Sequence, residues 1–181
     1  CGTLITDPSR PPIRNATIVI SDGQISDLGT GVTAPAGAEQ LDLGAYTVMP
    51  GLIDAHVHPT AAEIIEDFQR PMPTTLRALH AKTRLEAMLR RGFTTVRDAG
   101  GCDAGLRIAT ERGLIDGPRL LVATLAIVAT SSYGPGPAGF APNVRLPQGA
   151  QEASGETEIL KVVREQVAHG ADWVKVYADY R

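Results

Sequence analysis

The chain has 181 residues, 43% of them apolar and 20% charged, with a net charge of -3 at neutral pH. That is the composition of an ordinary globular protein, and the slight acidity gives no basic footprint for nucleic acid or for an anionic membrane surface. No apolar run reaches the length of a membrane span. Two cysteines, Cys1 and Cys102, are too few for a disulfide framework, so nothing demands an oxidising compartment and the cytoplasm is the expected location.

In chain order, the first fifty residues alternate short β-type runs with turn residues. The runs are Thr3 to Thr6, Ala16 to Ile20, Gln24 to Leu28 and Tyr46 to Met49, punctuated by Pro11-Pro12, Asp22-Gly23 and Pro35-Ala36-Gly37. Asp22-Gly23 between two apolar segments predicts a hairpin. Residues 1–50 therefore read as a small β-domain, and they carry no evident chemistry.

From residue 51 the period changes. A helix is expected over Thr74 to Arg90, with Leu76, Leu79, Leu85, Met88 and Leu89 assigned to its apolar face and Gly92 ending it. A strand is expected over Phe93 to Val96, a helix over Asp103 to Arg112 and a third strand over Arg119 to Ala123. A last helix fits Glu156 to His169, stopped by Gly170, before a fourth strand over Trp173 to Tyr177. Strands alternating with helices imply a parallel α/β sheet over residues 51–181.

The stretch Met49-Pro50-Gly51-Leu52-Ile53-Asp54-Ala55-His56-Val57-His58-Pro59 carries the most chemistry. Side chains of a strand alternate faces, so His56 and His58 project to one side at its end. Two neutral imidazoles so placed are half of a metal site, because imidazole suits zinc and similar ions. Lys175 lies in an apolar strand, where burying an ammonium is costly. Burial lowers a lysine's pKa, and the neutral amine can react with carbon dioxide to give a carbamate; a lysine that reaches out to the strand end or pairs with Asp172 is the alternative. Tyr177, two residues on, shares the face of Lys175 and is a candidate for binding substrate, against simple packing. Asp98, ending the second strand, is expected to point toward the same site, the alternative being bonds to neighbouring loop amides. Tyr133 and Phe140 belong to a Gly- and Pro-rich segment, Ser131 to Pro147, that could border a pocket or be plain surface. His80, inside a helix, and His169, at a helix end, read as structural.

The phrase around His56 and His58 resembles the first barrel strand of the amidohydrolase superfamily. Arg91-Gly92-Phe93-Thr94-Thr95-Val96-Arg97-Asp98-Ala99-Gly100-Gly101 is similar to the second strand of its imidazolonepropionase-like and Xaa-Pro dipeptidase (prolidase)-like branch. Gly170-Ala171-Asp172-Trp173-Val174-Lys175-Val176-Tyr177 resembles the fourth, and Thr3-Leu4-Ile5 with Gly23-Gln24-Ile25 resembles the small β-domain before the barrel. The resemblance implies an α/β fold: the first half of a (β/α)8 TIM-type barrel preceded by a small β-sandwich domain. It implies a metal-dependent hydrolase that cleaves an amide or peptide C–N bond by attack of a metal-bridged hydroxide. His56, His58 and a carbamylated Lys175 would hold two divalent ions, zinc being expected, and the substrate would be a Xaa-Pro or N-acyl amino acid. Amidase action on a non-peptide amide, a one-metal imidazolonepropionase-like hydrolase, which lacks the bridging lysine, and a non-catalytic metal-binding fragment are the alternatives.

A (β/α)8 barrel takes about 250 residues, and residues 51–181 supply four strands of it. Half a barrel leaves open strand edges. A second chain or segment carrying strands five to eight is therefore the expected partner, and the complete enzyme is expected to be a homo-oligomer. The resemblance places Cys1 just inside the first strand with an upstream segment missing, so a leader peptide and a secreted location stay open.

Overall fold

The computed structural model describes residues 1–61, 72–132 and 150–178. The chain divides into two compact units, Cys1–Gly51 and Leu52–Arg181.

In the first unit, β1 (Thr3–Leu4) runs antiparallel to β2 (Ile13–Arg14) and parallel to β5 (Thr47–Val48). A separate hairpin joins β3 (Ala16–Ser21) to β4 (Gln24–Thr30). Its turn is the expected Asp22-Gly23, with φ of 51° and 74°. Two successive left-handed residues are what a tight hairpin of the right twist requires. The strand β2 has no counterpart among the sequence-predicted runs. Gly2 admits no side chain, because a Cβ there would lie 2.2 Å from the carbonyl oxygen of Gly44.

The second unit is α/β. Strands β6 (Leu52–Val57), β7 (Phe93–Asp98) and β8 (Arg119–Leu121) form one parallel sheet. Strands β9 (Ala126–Val128), β10 (Ala150–Glu152) and β11 (Val176–Tyr177) form another, with β9 in the middle. The helices are α1 (Thr74–Arg90), α2 (Ala104–Glu111) and α3 (Glu156–Ala168). Each begins and ends within one residue of its expected bounds. Asp103 caps α2 by accepting a hydrogen bond from Leu106 N at 3.2 Å. No helix among the described residues is long and apolar enough to cross a membrane.

The third strand departs from expectation. It stops at Leu121, and Thr124 takes a left-handed φ of 60°. There Thr124 exchanges backbone bonds with the loop after β7, Gly101 N to Thr124 O at 2.7 Å and Thr124 N to Cys102 O at 3.1 Å. The chain then resumes as β9 in the second sheet. The strands β9 and β10 are additions the sequence did not announce. The fourth strand is shorter than expected, its ladder covering Val176–Tyr177.

The core of this unit joins Ala81 and Leu85 of α1 to Val96 of β7, Leu106 of α2, and Leu120 and Val122. The assigned face of α1 is corrected: Leu76 and Leu79 are 43% and 61% exposed, while Ala81 and Leu85 are fully buried. At 100° per residue Leu76 lies diametrically opposite Leu85. The buried stripe runs instead through Ala81, Leu85 and Met88, whose small first member lets the helix sit close to the sheet. Leu85→Ala is expected to cost about 2–5 kcal/mol in chemical denaturation, whereas Leu79→Ala should shift the midpoint little.

Candidate functional site

Strand β6 delivers both histidines through an irregularity. Its ladder with β7 shifts register between Asp54 and Val57, so the backbone groups of residues 55 and 56 lose their regular partners. Side chains replace them. Asp54 Oδ1 accepts a hydrogen bond from His56 N at 3.0 Å, and Arg97 Nε donates to Ala55 O at 2.9 Å. Bulges re-aim side chains, and this one leaves the two imidazoles together. Their ring centroids are 5.3 Å apart with planes at 66°. His58 is half-buried and His56 exposed.

His58 Nδ1 lies 3.0 Å from the carbonyl oxygen of Gly100. A carbonyl only accepts, so Nδ1 carries the proton and the lone pair resides on Nε2. That is how ligating histidines are commonly oriented. His56 has its pKa lowered, first by partial desolvation, then by the positive charge of Lys175 and by the neighbouring His58 imidazole, with Asp54 opposing. At neutral pH it is therefore an uncharged imidazole. In the metal-free protein, His56 is expected to titrate below the usual 6.5, and Lys175→Ala should move the midpoint up. Proton NMR of the ring signals checks both, and a midpoint at or above the usual value contradicts the assignment.

Lys175 stands at the head of β11, its carbonyl accepting from Ile127 N at 2.8 Å. Its Nζ lies 5.1 Å from the centroid of the Tyr177 ring, so the two side chains share a face as the two-residue period predicts. Tyr177 packs on the cluster of Ala126, Val128 and Ala150. Its hydroxyl also comes near the histidine loop, 4.0 Å from where a Cβ on Gly100 would sit.

Asp98 is placed differently from the expectation. It is fully buried and shares its face of β7 with the core residue Val96. Its Oδ2 accepts hydrogen bonds from Gly100 N and Cys102 N, both at 3.1 Å. The carboxylate therefore serves the loop, the alternative that the sequence offered for it. Burial raises its pKa, against the pull of those amides and of His58. Cys102, also buried, has its thiol pushed far up by burial and by Asp98, and is an unreactive thiol.

The opposite face of β7 carries Arg97, which the sequence reading passed over. Its guanidinium stacks 4.5 Å over the ring of Trp173, and its charge is felt at His56. Strand alternation was the available signal: with Val96 in the core, its neighbour Arg97 faces the histidine side and Asp98 does not. His80 is exposed on α1, and His169 ends α3. Tyr133 and Phe140 lie outside the described residues.

Residues 47–181 match the amidohydrolase family. The chain belongs to that family. A prolidase solved in complex with N-methylphosphonate-L-proline superposes with a TM-score of 0.86 at 31% identity, covering 97% of this chain and 44% of the prolidase. The imidazolonepropionase of Deinococcus deserti is 30% identical over 144 residues, 65% of this chain and 36% of that protein. The dihydroorotase of Geobacter sp. (strain M21) is 44% identical over 57 residues, 32% of this chain and 13% of that enzyme. The chain thus spans less than half the length of each of these relatives.

Amidohydrolases are hydrolases acting on C–N bonds and generally bind divalent metals. The donor set of this amidohydrolase chain fits such an ion. Two adjacent imidazoles are offered, His58 with its tautomer set by a backbone carbonyl and His56 held neutral. Among the described residues no three His, Cys, Asp or Glu side chains gather into a metal site. The histidine pair is what the described residues bring.

Proposed function

We propose that the chain is the first half of a (β/α)8 barrel of a metal-dependent hydrolase that cleaves the C–N bond of a Xaa-Pro or N-acyl amino acid. The observation that carries this is the pair of adjacent imidazoles at the end of β6: the rings of His56 and His58 lie 5.3 Å apart, and His58 Nδ1 is 3.0 Å from the carbonyl oxygen of Gly100. His56 and His58 would hold the metal, and Lys175, as a carbamate, would bridge two zinc ions. When bound, such ions supply a nucleophile from water near neutral pH and polarise the scissile carbonyl. The chain's own residues do the rest. Gly100 O fixes the His58 tautomer, the Arg97 and Asp54 bonds hold the bulge beneath His56, and Tyr177 borders the site beside Lys175.

The prolidase likeness supports the Xaa-Pro substrate class, and the imidazolonepropionase likeness supports a second, one-metal reading. Lys175 favours the first, because a carbamate has two oxygens to share between metals. Assays of the complete enzyme on Xaa-Pro dipeptides, N-acyl amino acids and a cyclic amide, with metal counted per chain, decide between them. Turnover confined to the cyclic amide with a single metal would reverse the assignment.

We propose further that strands five to eight come from a second chain or segment. Ile53 and Leu52 of the edge strand β6 are 71% and 43% exposed, and Val176 of the edge strand β11 is 54% exposed. Open parallel edges with apolar side chains invite pairing or aggregation. Residues 1–181 alone are expected to associate and to show no hydrolysis. A monomeric, cooperatively folded and active 1–181 would refute this.

A further inference from the structure

The buried carboxylate of Asp98 stands on a costly footing. It is completely inaccessible, and its Oδ1 has no hydrogen-bond partner among the described residues. Burying a carboxylate so incompletely bonded opposes folding. Both bonds made by its Oδ2 go to one place, the amides of Gly100 and Cys102. Between them lies Gly100-Gly101, with φ of 126° and 116°. Consecutive glycines have more backbone freedom than any other pair and no side chain to anchor them. The conformation of this loop must therefore be imposed by bonds to its backbone. Thr124 O holds one side, through Gly101 N at 2.7 Å, and Asp98 holds the other. Gly100 in turn presents the carbonyl that takes the Nδ1 proton of His58 at 3.0 Å.

We propose that Asp98 is a positioning residue for His58: its carboxylate oxygen latches the Gly100-Gly101 turn so that Gly100 O fixes the Nδ1–H tautomer and directs Nε2 to the metal. The proposal rests on His58 being a metal ligand. It assigns Asp98 a bond-accepting role rather than a charge role, and that difference makes it testable. Asn has the same shape and can set its amide oxygen where Oδ2 stands, keeping both loop bonds. Ala and Leu cannot, and Leu also fills the volume and leaves no buried charge.

The complete enzyme, labelled with ¹⁵N at histidine and stripped of metal, gives the His58 tautomer directly from its ring nitrogen shifts. Zinc affinity follows from competition with a chromophoric chelator. Wild type and Asp98→Asn are expected to show Nδ1–H and to bind zinc within about twofold of each other. Asp98→Ala and Asp98→Leu are expected to mix the two tautomers and to bind zinc about tenfold or more weakly, in the range typical for loss of an outer-shell partner. A folded Ala or Leu variant that keeps the Nδ1–H tautomer overturns the proposal, as does an Asn variant that behaves like Ala. Failure of both apolar variants to fold overturns it too, since the carboxylate would then hold the fold rather than the histidine. His58→Ala separates this from the functional reading. Undiminished zinc in that variant removes His58 as a ligand, while the metal-free tautomer still reports whether the latch exists.

Discussion

His56→Ala and His58→Ala, each made in the complete enzyme, are expected to lose metal and to lower kcat/KM by about three orders of magnitude or more. The size follows from the chemistry the metal supplies: several kcal/mol of transition-state stabilisation, at 1.36 kcal/mol for each tenfold in rate. The fold should hardly notice. His56 is exposed and His58 half-buried, and neither belongs to the core around Leu85 and Val96. The two variants should nevertheless differ. His58 gives up a hydrogen bond to Gly100 O as well as a ligand, so its loss should loosen the Gly100-Gly101 turn, whereas the loss of His56 leaves that turn intact. Metal analysis after dialysis, together with far-UV circular dichroism, reads both effects. Full metal content in the two variants would remove β6 from the site altogether.

Local signals in the sequence were reliable where the cause is local. The bounds of α1 match expectation because the hydrophobic period starts after Pro73 and a glycine with φ of 92° follows Arg91. The β3–β4 hairpin follows from two residues able to take positive φ in succession. The paired histidines were legible because strand alternation needs only the two positions between which it acts. What the sequence hid depends on residues far apart. The bulge beneath His56 is stabilised by Arg97, 42 positions from the Ala55 carbonyl it bonds. The turn between β8 and the unannounced β9 falls at a threonine with φ of 60°, a residue type that gives no warning of a left-handed turn. The partners that hold it, Gly101 and Cys102, are distant in sequence. Asp98 was aimed at the site because of its place at a strand end, yet alternation from Val96 already put it on the covered side. The face of α1 differs from expectation for a related reason, since the angle between positions, and not the number of leucines, decides which side is buried.

Lys175→Ala is expected to abolish turnover to a degree comparable with the histidine variants and to release one or both metals. The half-buried ammonium sits 5.1 Å from the centroid of the Tyr177 ring, and its charge contributes to lowering the pKa of His56. As an ammonium it offers three donors and no lone pair, so it can neither bind a cation nor share one. Only the neutral amine can add carbon dioxide. The carbamate reverses the local charge and supplies two oxygens. Lys175→Arg should be as inactive as the alanine variant, because guanidinium neither deprotonates nor carbamylates. A short carboxylic acid added to Lys175→Ala should restore part of the metal content and of the activity by occupying the vacated volume with two oxygens, and it should do nothing for Lys175→Arg, where that volume is filled. Electron density for a bare Lys175 side chain, in crystals of the complete enzyme that hold two metals and were never stripped of carbon dioxide, would overturn the bridge. A bare lysine beside a single metal would instead move the enzyme to the imidazolonepropionase-like reading, in which His56 and His58 still bind and the lysine acts only through its charge on His56.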